Sequence, residues 1–310
     1  MHSRKIKFYA KNIILDLIPK VIWKIWYTKN IAYLNDTQIS EFLDKVSYYC
    51  KIDNQFECLS DSYTLKTLSV FKHPSGPCYD LRRYLGFFDS KLNFHCDLTD
   101  QDRPPVNPSF VKCRPISNEN TNYVLLKLNS SRFYDFQADE KQFAEKRNHA
   151  IFRGPCHKPH RQKFIQNCYG LPNTNIGDTR PTVKKEFFYR PHTSRQAQLK
   201  NKFIISVEGN DVASNLPWIM ASNSLAFLRK PKFEGWFMQG KLIPNYHYVL
   251  LKDDYSDLEE KIDYYSSNEL DALEIINNAH KHVAQFFDHK SELITSLLVL
   301  EKYFKLSNQI

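Results

Sequence analysis

Glycine is scarce in this chain, with 8 in 310 residues, and neither G-x-G-x-x-G nor G-x-x-x-x-G-K-[ST] occurs. Dinucleotide oxidoreductases and P-loop nucleotidases need such glycines to bring backbone against phosphate, so both classes are disfavoured. The seven cysteines (Cys50, Cys58, Cys78, Cys96, Cys113, Cys156, Cys168) are odd in number and scattered, and no C-x-x-C pair is present. That spacing points away from a disulfide framework and from a closed zinc site, and reduced thiols in the cytoplasm are the simplest expectation. There is no run of about 18 apolar residues, so nothing is expected to span a membrane. An uninterrupted apolar leader with a small-residue cleavage site is also missing, and no export signal is expected.

What is present sets the class. Hydrophobic residues make up 42% and aromatics 14% of the chain, which excludes wholesale disorder. The length suits two domains of ordinary size or one large one. The net charge of +9 is concentrated at one end. Residues 1–30 hold Arg4, Lys5, Lys7, Lys11, Lys20, Lys24 and Lys29 against Asp16 alone. Ile6, Ile13, Ile14, Leu17, Ile18, Val21, Ile22, Ile25 and Trp26 recur there at roughly helical spacing, which predicts a basic amphipathic helix. Such a helix suits an anionic membrane surface. The competing reading packs it on the protein's own core with its lysines in water.

A short helix is predicted over Asp36–Val46, a turn over 73–80, and strands at Lys91–Asp97, Phe110–Cys113 and Tyr123–Leu128. The polar stretch 135–148 marks a domain boundary. Beyond it, strand-like runs at Ala150–Phe152, Phe203–Val207, Leu225–Leu228 and Tyr246–Leu251 alternate with helical segments at Pro159–Cys168 and Leu216–Ser222. A turn is expected near Glu234–Phe237. Two helices close the chain, one over Asp257–Phe287 broken near Ser266–Asn268 and one over Ser291–Leu306. Alternation of this kind predicts an α/β fold with a mainly parallel sheet, whose ligands sit beyond the C-terminal strand ends.

Two strand–loop–helix units carry the chemistry. In Lys202–Ser224 a buried strand delivers the polar loop Glu208–Ser214 onto a helix with Pro217 in its first turn. Unpaired N–H groups and the helix dipole favour an anion at such a point. In His149–Cys168, Gly154 follows a strand and Pro159 opens a helix. His157, Lys158, His160, Arg161 and Lys163 crowd the positive end of that helix, an unfavourable arrangement that a bound diphosphate would reverse. A solvated basic surface is the plainer alternative. A metal set from Cys156, His157, His160 and Cys168 is the least favoured, since Pro159 interrupts it and the spacing matches no closed pattern.

These residues carry a resemblance. Phe152-Arg153-Gly154 followed by Arg161 resembles the F-R-G-x6-R signature of glycosyltransferase family 90, which spans protein O-glucosyltransferases, fungal capsule xylosyltransferases and bacterial LpsA-type lipopolysaccharide glycosyltransferases. Glu208–Ser214 and Ser222-Asn223-Ser224 resemble its second loop. Glu234-Gly235-Trp236-Phe237 and Tyr246-His247-Tyr248-Val249 resemble its E-x-W-F and H-Y-V elements. Phe110–Ile116 with Leu125–Leu128 is most similar to the LpsA-type branch. The likeness runs over roughly residues 92–285.

The resemblance implies a GT-B architecture, two Rossmann-like domains facing a cleft. Residues 1–30 would form the membrane-proximal helix, 31–140 the acceptor-side domain, 141–287 the nucleotide-sugar-binding domain and 288–310 a C-terminal helix. It implies an inverting hexosyltransferase that uses UDP-glucose or UDP-galactose, with no cofactor and no metal. Donor contacts would come from Arg153, Gly154, Arg161, Gly209, Asn210, Asp211 and Ser214, with Glu234 either on the ribose or capping a turn. Relatives often carry a basic residue three places after the serine of the second loop, where this chain has Pro217. Either Lys112, Lys127, Lys158 or Arg229 substitutes for it, or donor affinity is weaker. The general base falls on Asp97, with Asp100 and Asp102 as competitors and a turn-building role as the plain alternative for all three. The acceptor expected is lipid-linked lipopolysaccharide core at the cytoplasmic face of the inner membrane, where the enzyme would be peripheral. Capsule or protein acceptors are the alternative, and a non-catalytic protein binding nucleic acid or a membrane surface is the alternative of another class.

Overall fold

The computed structural model describes residues 10, 18–32, 34, 36–59, 61–70, 75–100, 104–128, 130–134, 136 and 138–310. Arg4, Lys5, Lys7, Lys11, Asp16 and Asp102 lie outside them. In chain order the first elements are α1 (Lys20–Tyr27), α2 (Asp36–Tyr49), α3 (Gly76–Leu85), β1 (His95–Asp97), β2 (Ser109–Val111), β3 (Cys113–Pro115) and β4 (Tyr123–Leu125). There follow β5 (Arg147–Gly154), α4 (Pro159–Cys168), β6 (Thr174–Asp178), β7 (Asn201–Ile205), α5 (Leu216–Met220) and β8 (Leu225–Leu228). The chain ends with β9 (Phe233–Gly235), β10 (Val249–Leu250), α6 (Leu258–Ser267), α7 (Glu269–Ala284) and α8 (His289–Leu306). The protein is thus α/β with parallel sheets, in two compact units. The first comprises Met1–Arg132, Phe233–Phe237 and Asp288–Ile310, and the second Phe133–Lys232 and Met238–Phe287.

The first unit is built on the parallel sheet β1-β2-β4. Phe110 at its centre is fully buried, with Tyr303 of α8 at 4.3 Å between ring centroids. The Tyr303 hydroxyl donates to Pro108 O at 3.0 Å and accepts from the His95 N–H at 3.1 Å, tying α8 to β1 and to the residue ahead of β2. The last helix, expected as a separate segment, is therefore integral to this unit. Of the stretch 73–80, expected as a turn, 73–74 lie outside the described residues and the rest instead starts α3, capped by Ser75, whose hydroxyl accepts the Cys78 N–H. Pro77 is compatible with the first helical turn, where its missing N–H has no partner to lose.

A second difference concerns Glu234–Phe237, expected as a turn. Residues Phe233–Gly235 form β9, antiparallel to β3, with Arg114 opposite Glu234. Gly235 is required there, because a Cβ would lie 2.9 Å from Lys112 O. The Arg114 guanidinium, fully buried, donates from Nε to Glu234 Oε1 at 2.7 Å and to Tyr48 O at 2.6 Å. Trp236 stacks on Tyr49 at 3.8 Å and donates to Glu292 Oε2, which also accepts from Lys127 at 2.8 Å. The described part of the N-terminal segment, α1, sets Trp23 and Trp26 against Phe87 and Tyr27 against Phe88. Its Val21, Ile22 and Ile25 remain half or more exposed. No helix among the described residues is long and apolar enough to cross a membrane.

The second unit carries a five-stranded, wholly parallel sheet in the order β10-β8-β7-β5-β6. Its inner strands read as short apolar runs because both faces are covered. Phe152 packs on Phe164 of α4 at 4.9 Å, and Phe203 on Phe227 at 5.1 Å. Helices α6 and α7, separated at Asn268, add Leu258, Ile262, Ile275 and Ile276 to the same core. Strand β6 was not anticipated, since Thr174–Asp178 has only one large apolar residue. It is the edge strand, held by its register against β5.

Removing one partner of a buried ion pair leaves the other charge uncompensated. Arg114→Ala is expected to destabilise the first unit by about 3–5 kcal/mol, read as a lowered urea midpoint.

Candidate functional site

Strand order determines where a ligand can enter the second unit. From β5 the chain crosses to β6 on one side, then returns to β7 on the other. The switch point therefore lies between β5 and β7, whose C-terminal ends deliver the two loops singled out by sequence. There Arg161, in the first turns of α4, bridges the loops. Its Nε donates to Glu208 O at 2.8 Å, one terminal nitrogen to Val207 O at 2.6 Å and the other to Pro155 O at 2.9 Å. His160 shares the Glu208 carbonyl at 2.8 Å.

Glycines flank the guanidinium on both sides. A Cβ at Gly154 would lie 3.5 Å from one terminal nitrogen, and a Cβ at Gly209 would lie 3.5 Å from the other. Three main-chain carbonyl dipoles facing Arg161 also offset part of the cationic excess noted at the start of α4.

The second loop is fastened at both ends. Ser206 donates to Asn215 Oδ1 at 2.9 Å, and Asn215 returns a bond to Ile205 O. Within it the Gly209 N–H meets Asp211 O, Asp211 is buried, Asn210 is exposed and Ser214 is half-buried. Glu208 accepts the Lys232 N–H, which ties this loop to the end of the β8 segment. His160 is held below the ordinary imidazole range first by burial, then by the neighbouring cations Arg229, Arg161 and Lys158. Of the four basic residues weighed against Pro217, Lys158 and Arg229 thus stand in this cluster. Lys127 is paired with Glu292, and Lys112 with Asp100, both in the first unit.

Other expected residues have different surroundings. Arg153 lies beside the loop but donates sideways to Asn175 O at 2.6 Å, on β6. Glu234 belongs to the first unit, is 2% exposed, and has Arg114 and the Tyr48 hydroxyl on its carboxylate. Asp97 ends β1 at the C-terminal edge of the first unit's sheet, half-buried, and one oxygen accepts the Thr99 N–H at 2.9 Å and its hydroxyl at 2.6 Å. Burial drives the adjacent Cys96 thiol up to about 12. Cys156 and Cys168 are buried, likewise pushed up to about 12. Among the described residues no three His, Cys, Asp or Glu side chains group as metal ligands. Sequence reasoning missed Asp178, whose carboxylate at the end of β6 receives the Cys156 N–H at 3.2 Å and holds Arg180 at 2.6 Å. Its polar strand offered no apolar signal.

Comparison with known proteins agrees with the motifs. The family described as Glycosyl transferase family 90 matches residues 123–309. The chain belongs to glycosyltransferase family 90. It is also 36% identical to a protein named O-glucosyltransferase LpsA from Dichelobacter nodosus, over 97% of this chain and 96% of that one. The family match begins at β4, so it takes in the whole Arg161 site and β9 but not Asp97.

Because the two family 90 loops share one clamp, Arg161→Ala should accelerate amide exchange at 206–211 about ten- to a hundredfold, given roughly 1.5–3 kcal/mol per charged hydrogen bond. Arg161→Lys should not restore protection, since an ammonium lacks the planar fork.

Proposed function

We propose that the protein is an inverting hexosyltransferase that moves glucose or galactose from its UDP form onto lipopolysaccharide core. The observation that carries this reading is the convergence of Arg161, His160, Lys158 and Arg229 at the switch point of a parallel sheet. A diphosphate leaving group needs fixed positive charge where its own charge develops. Arg161 supplies charge and holds the two loops in place. Gly154 and Gly209 keep side chains away from it, while Asn210, Asp211 and Ser214 shape the second loop. Arg153 braces the edge beside the first loop.

In the transfer, Asp97 takes the proton of the acceptor hydroxyl as its oxygen attacks the anomeric carbon. The bond from that carbon to the diphosphate breaks, and UDP leaves against the cationic cluster with no metal required. The scheme assigns the donor to the second unit and the base to the first, the division of labour of a GT-B enzyme. Asp97 stands at a strand end, where a base is best held. Asp100 is less suited because its carboxylate faces Lys112. The relative's printed name favours glucose on an oxygen acceptor. The exposed Val21, Ile22 and Ile25 of α1, beside Lys24 and Lys29, favour a peripheral position on an anionic membrane.

Release of UDP from UDP-glucose and UDP-galactose, with and without truncated core lipopolysaccharide, tests the scheme. Asp97→Asn is expected to lower acceptor-dependent release by about 10²–10⁴, and Arg161→Ala by about 10²–10³. Retained activity in either variant removes that residue from its role, and no turnover of any UDP-sugar overturns the assignment.

Protonation gives an independent readout. Burial and the neighbouring cations hold His160 below the ordinary imidazole range, and a diphosphate beside it favours the charged ring. In the pH window between the lowered value of the free ring and the raised value beside a diphosphate, UDP binding should therefore take up a proton at His160 and tighten as pH falls. Calorimetry in buffers of different ionisation enthalpy measures this, and His160→Asn should abolish the uptake.

A further inference from the structure

The crossover from β6 to β7, residues 179–200, has a composition the donor site does not explain. It holds Arg180, Lys184, Lys185, Arg190, Arg195 and Lys200 against Glu186 alone. Within it Phe187 is 72% exposed, the most exposed of the large aromatic side chains among the described residues. A phenyl ring left in water forgoes the stabilisation that burial would give it. Yet the segment that carries it is firmly held. Asp178 N–H donates to Phe188 O at 3.1 Å and Arg190 N–H to Asp178 O at 3.0 Å, extending the edge of the sheet. The Phe187 carbonyl accepts from the Tyr169 hydroxyl and from the Arg190 guanidinium at 3.0 Å. The Phe187 ring meets Tyr169 edge-on at 5.3 Å, and Arg190 lies over the Tyr169 ring at 5.1 Å.

Gly177 makes room for this arrangement, because a Cβ there would fall 2.3 Å from Arg190 Cβ. Opposite Gly177 in the ladder is Arg153, which Arg190 repels. Among the described residues no carboxylate pairs with Arg153, Lys184, Lys185 or Arg190, and Arg153 Nε is buried without a partner. Cations without paired carboxylates, two of them (Arg153 and Arg190) held by hydrogen bonds, interleaved with an aromatic ring presented to solvent, form a surface for a discrete anionic ligand.

We propose that this strip docks a saccharide bearing phosphate or carboxylate groups, namely the part of the acceptor remote from the reacting hydroxyl. The inference rests on the transferase reading and adds that the donor-binding unit also holds acceptor. Phe187 offers its electron-rich face to the C–H side of a sugar ring. Lys184, Lys185 and Arg190 take the anionic substituents. The crossover leaves from the first donor loop, where the Asp178 carboxylate holds the Cys156 N–H and the Thr179 N–H donates to Gly154 O at 3.2 Å, so the strip is tied to that loop. That tie favours a saccharide over a bilayer surface, for which a fixed link to the donor loop has no use.

The test uses the full chain, with Phe187→Ala and the double variant Lys184→Glu/Lys185→Glu. Transfer from UDP-glucose to delipidated core oligosaccharide is measured before and after chemical removal of its phosphate. Each variant should raise the acceptor KM about tenfold or more while kcat, UDP affinity and acceptor-free hydrolysis stay within about twofold, the signature of lost ground-state binding. Stripping phosphate should weaken the wild type and leave the double variant little changed. An unaltered acceptor KM overturns the proposal, as does a loss seen only in binding to phosphatidylglycerol vesicles. Direct calorimetric binding of the oligosaccharide decides the strip even if no UDP-sugar is turned over, an outcome that would sink the transferase reading instead.

Discussion

The second unit depends on one guanidinium. Arg161 spends its directed donors on carbonyls from two loops that follow different strands, and a fork of fixed geometry can do this where a flexible ammonium cannot. The loops at the β5 and β7 ends are joined in this way through the protein's own hydrogen bonds. Arg161 is thereby a structural and an electrostatic residue at once. The neighbouring glycines leave the guanidinium uncovered, and Gly154 also makes room for the Phe152 ring, 3.0 Å from where its Cβ would lie.

In the first unit the same logic runs through carboxylates. Glu234 and Glu292 are each about 2% exposed, and each collects several donors: Arg114 and Tyr48 for the former, Lys127 and the Trp236 indole for the latter. Buried ion pairs are weak contributors to net stability but strong selectors of a single arrangement, because every mispaired alternative strands a charge. What they select here is the seating of a five-residue segment, Phe233–Phe237, in a unit whose other parts come from the two ends of the chain. The resemblance of that segment to a family motif therefore has a packing explanation, with Glu234 opposite Arg114 in the two-stranded β3–β9 ladder.

Much of this was legible from residue pattern. The bounds of α4 and β8 match their sequence expectation, because Pro159 starts the helix, Gly170 follows its end with a positive φ, and β8 is a buried apolar tetrapeptide. Loops 153–161 and 208–214 do lie together, as alternation of strands and helices implies. What escaped was polar or conditional. Strand β6 is a strand through pairing with β5 and not through its own composition, and Asp178 was lost with it. Likewise, β9 follows from a ladder with a distant partner, and α3 from a serine cap ahead of a proline that reads locally as a turn. Arg153 shows the limit most clearly. Its motif is unmistakable in sequence, but the direction of its side chain is set by Asn175 on a strand that was not foreseen.

The excess of like charge at the C-terminal edge of the larger sheet gives these features a common meaning. Arg161, His160, Lys158 and Arg229 raise one another's electrostatic cost, and burial adds to it at His160. Arg229 has the Asp253 carboxylate at 3.8 Å, whereas Arg161 is met by main-chain carbonyls, which hold it in position and leave its charge in place. An anion at such a site relieves repulsion among the cations as well as forming new bonds. By linkage, any ligand of this charge must also stabilise the unit that binds it, in proportion to the logarithm of its concentration over its dissociation constant. Site chemistry and marginal stability are therefore two aspects of one charge distribution, and the glycines and the Arg161 clamp are what allow the fold to tolerate it.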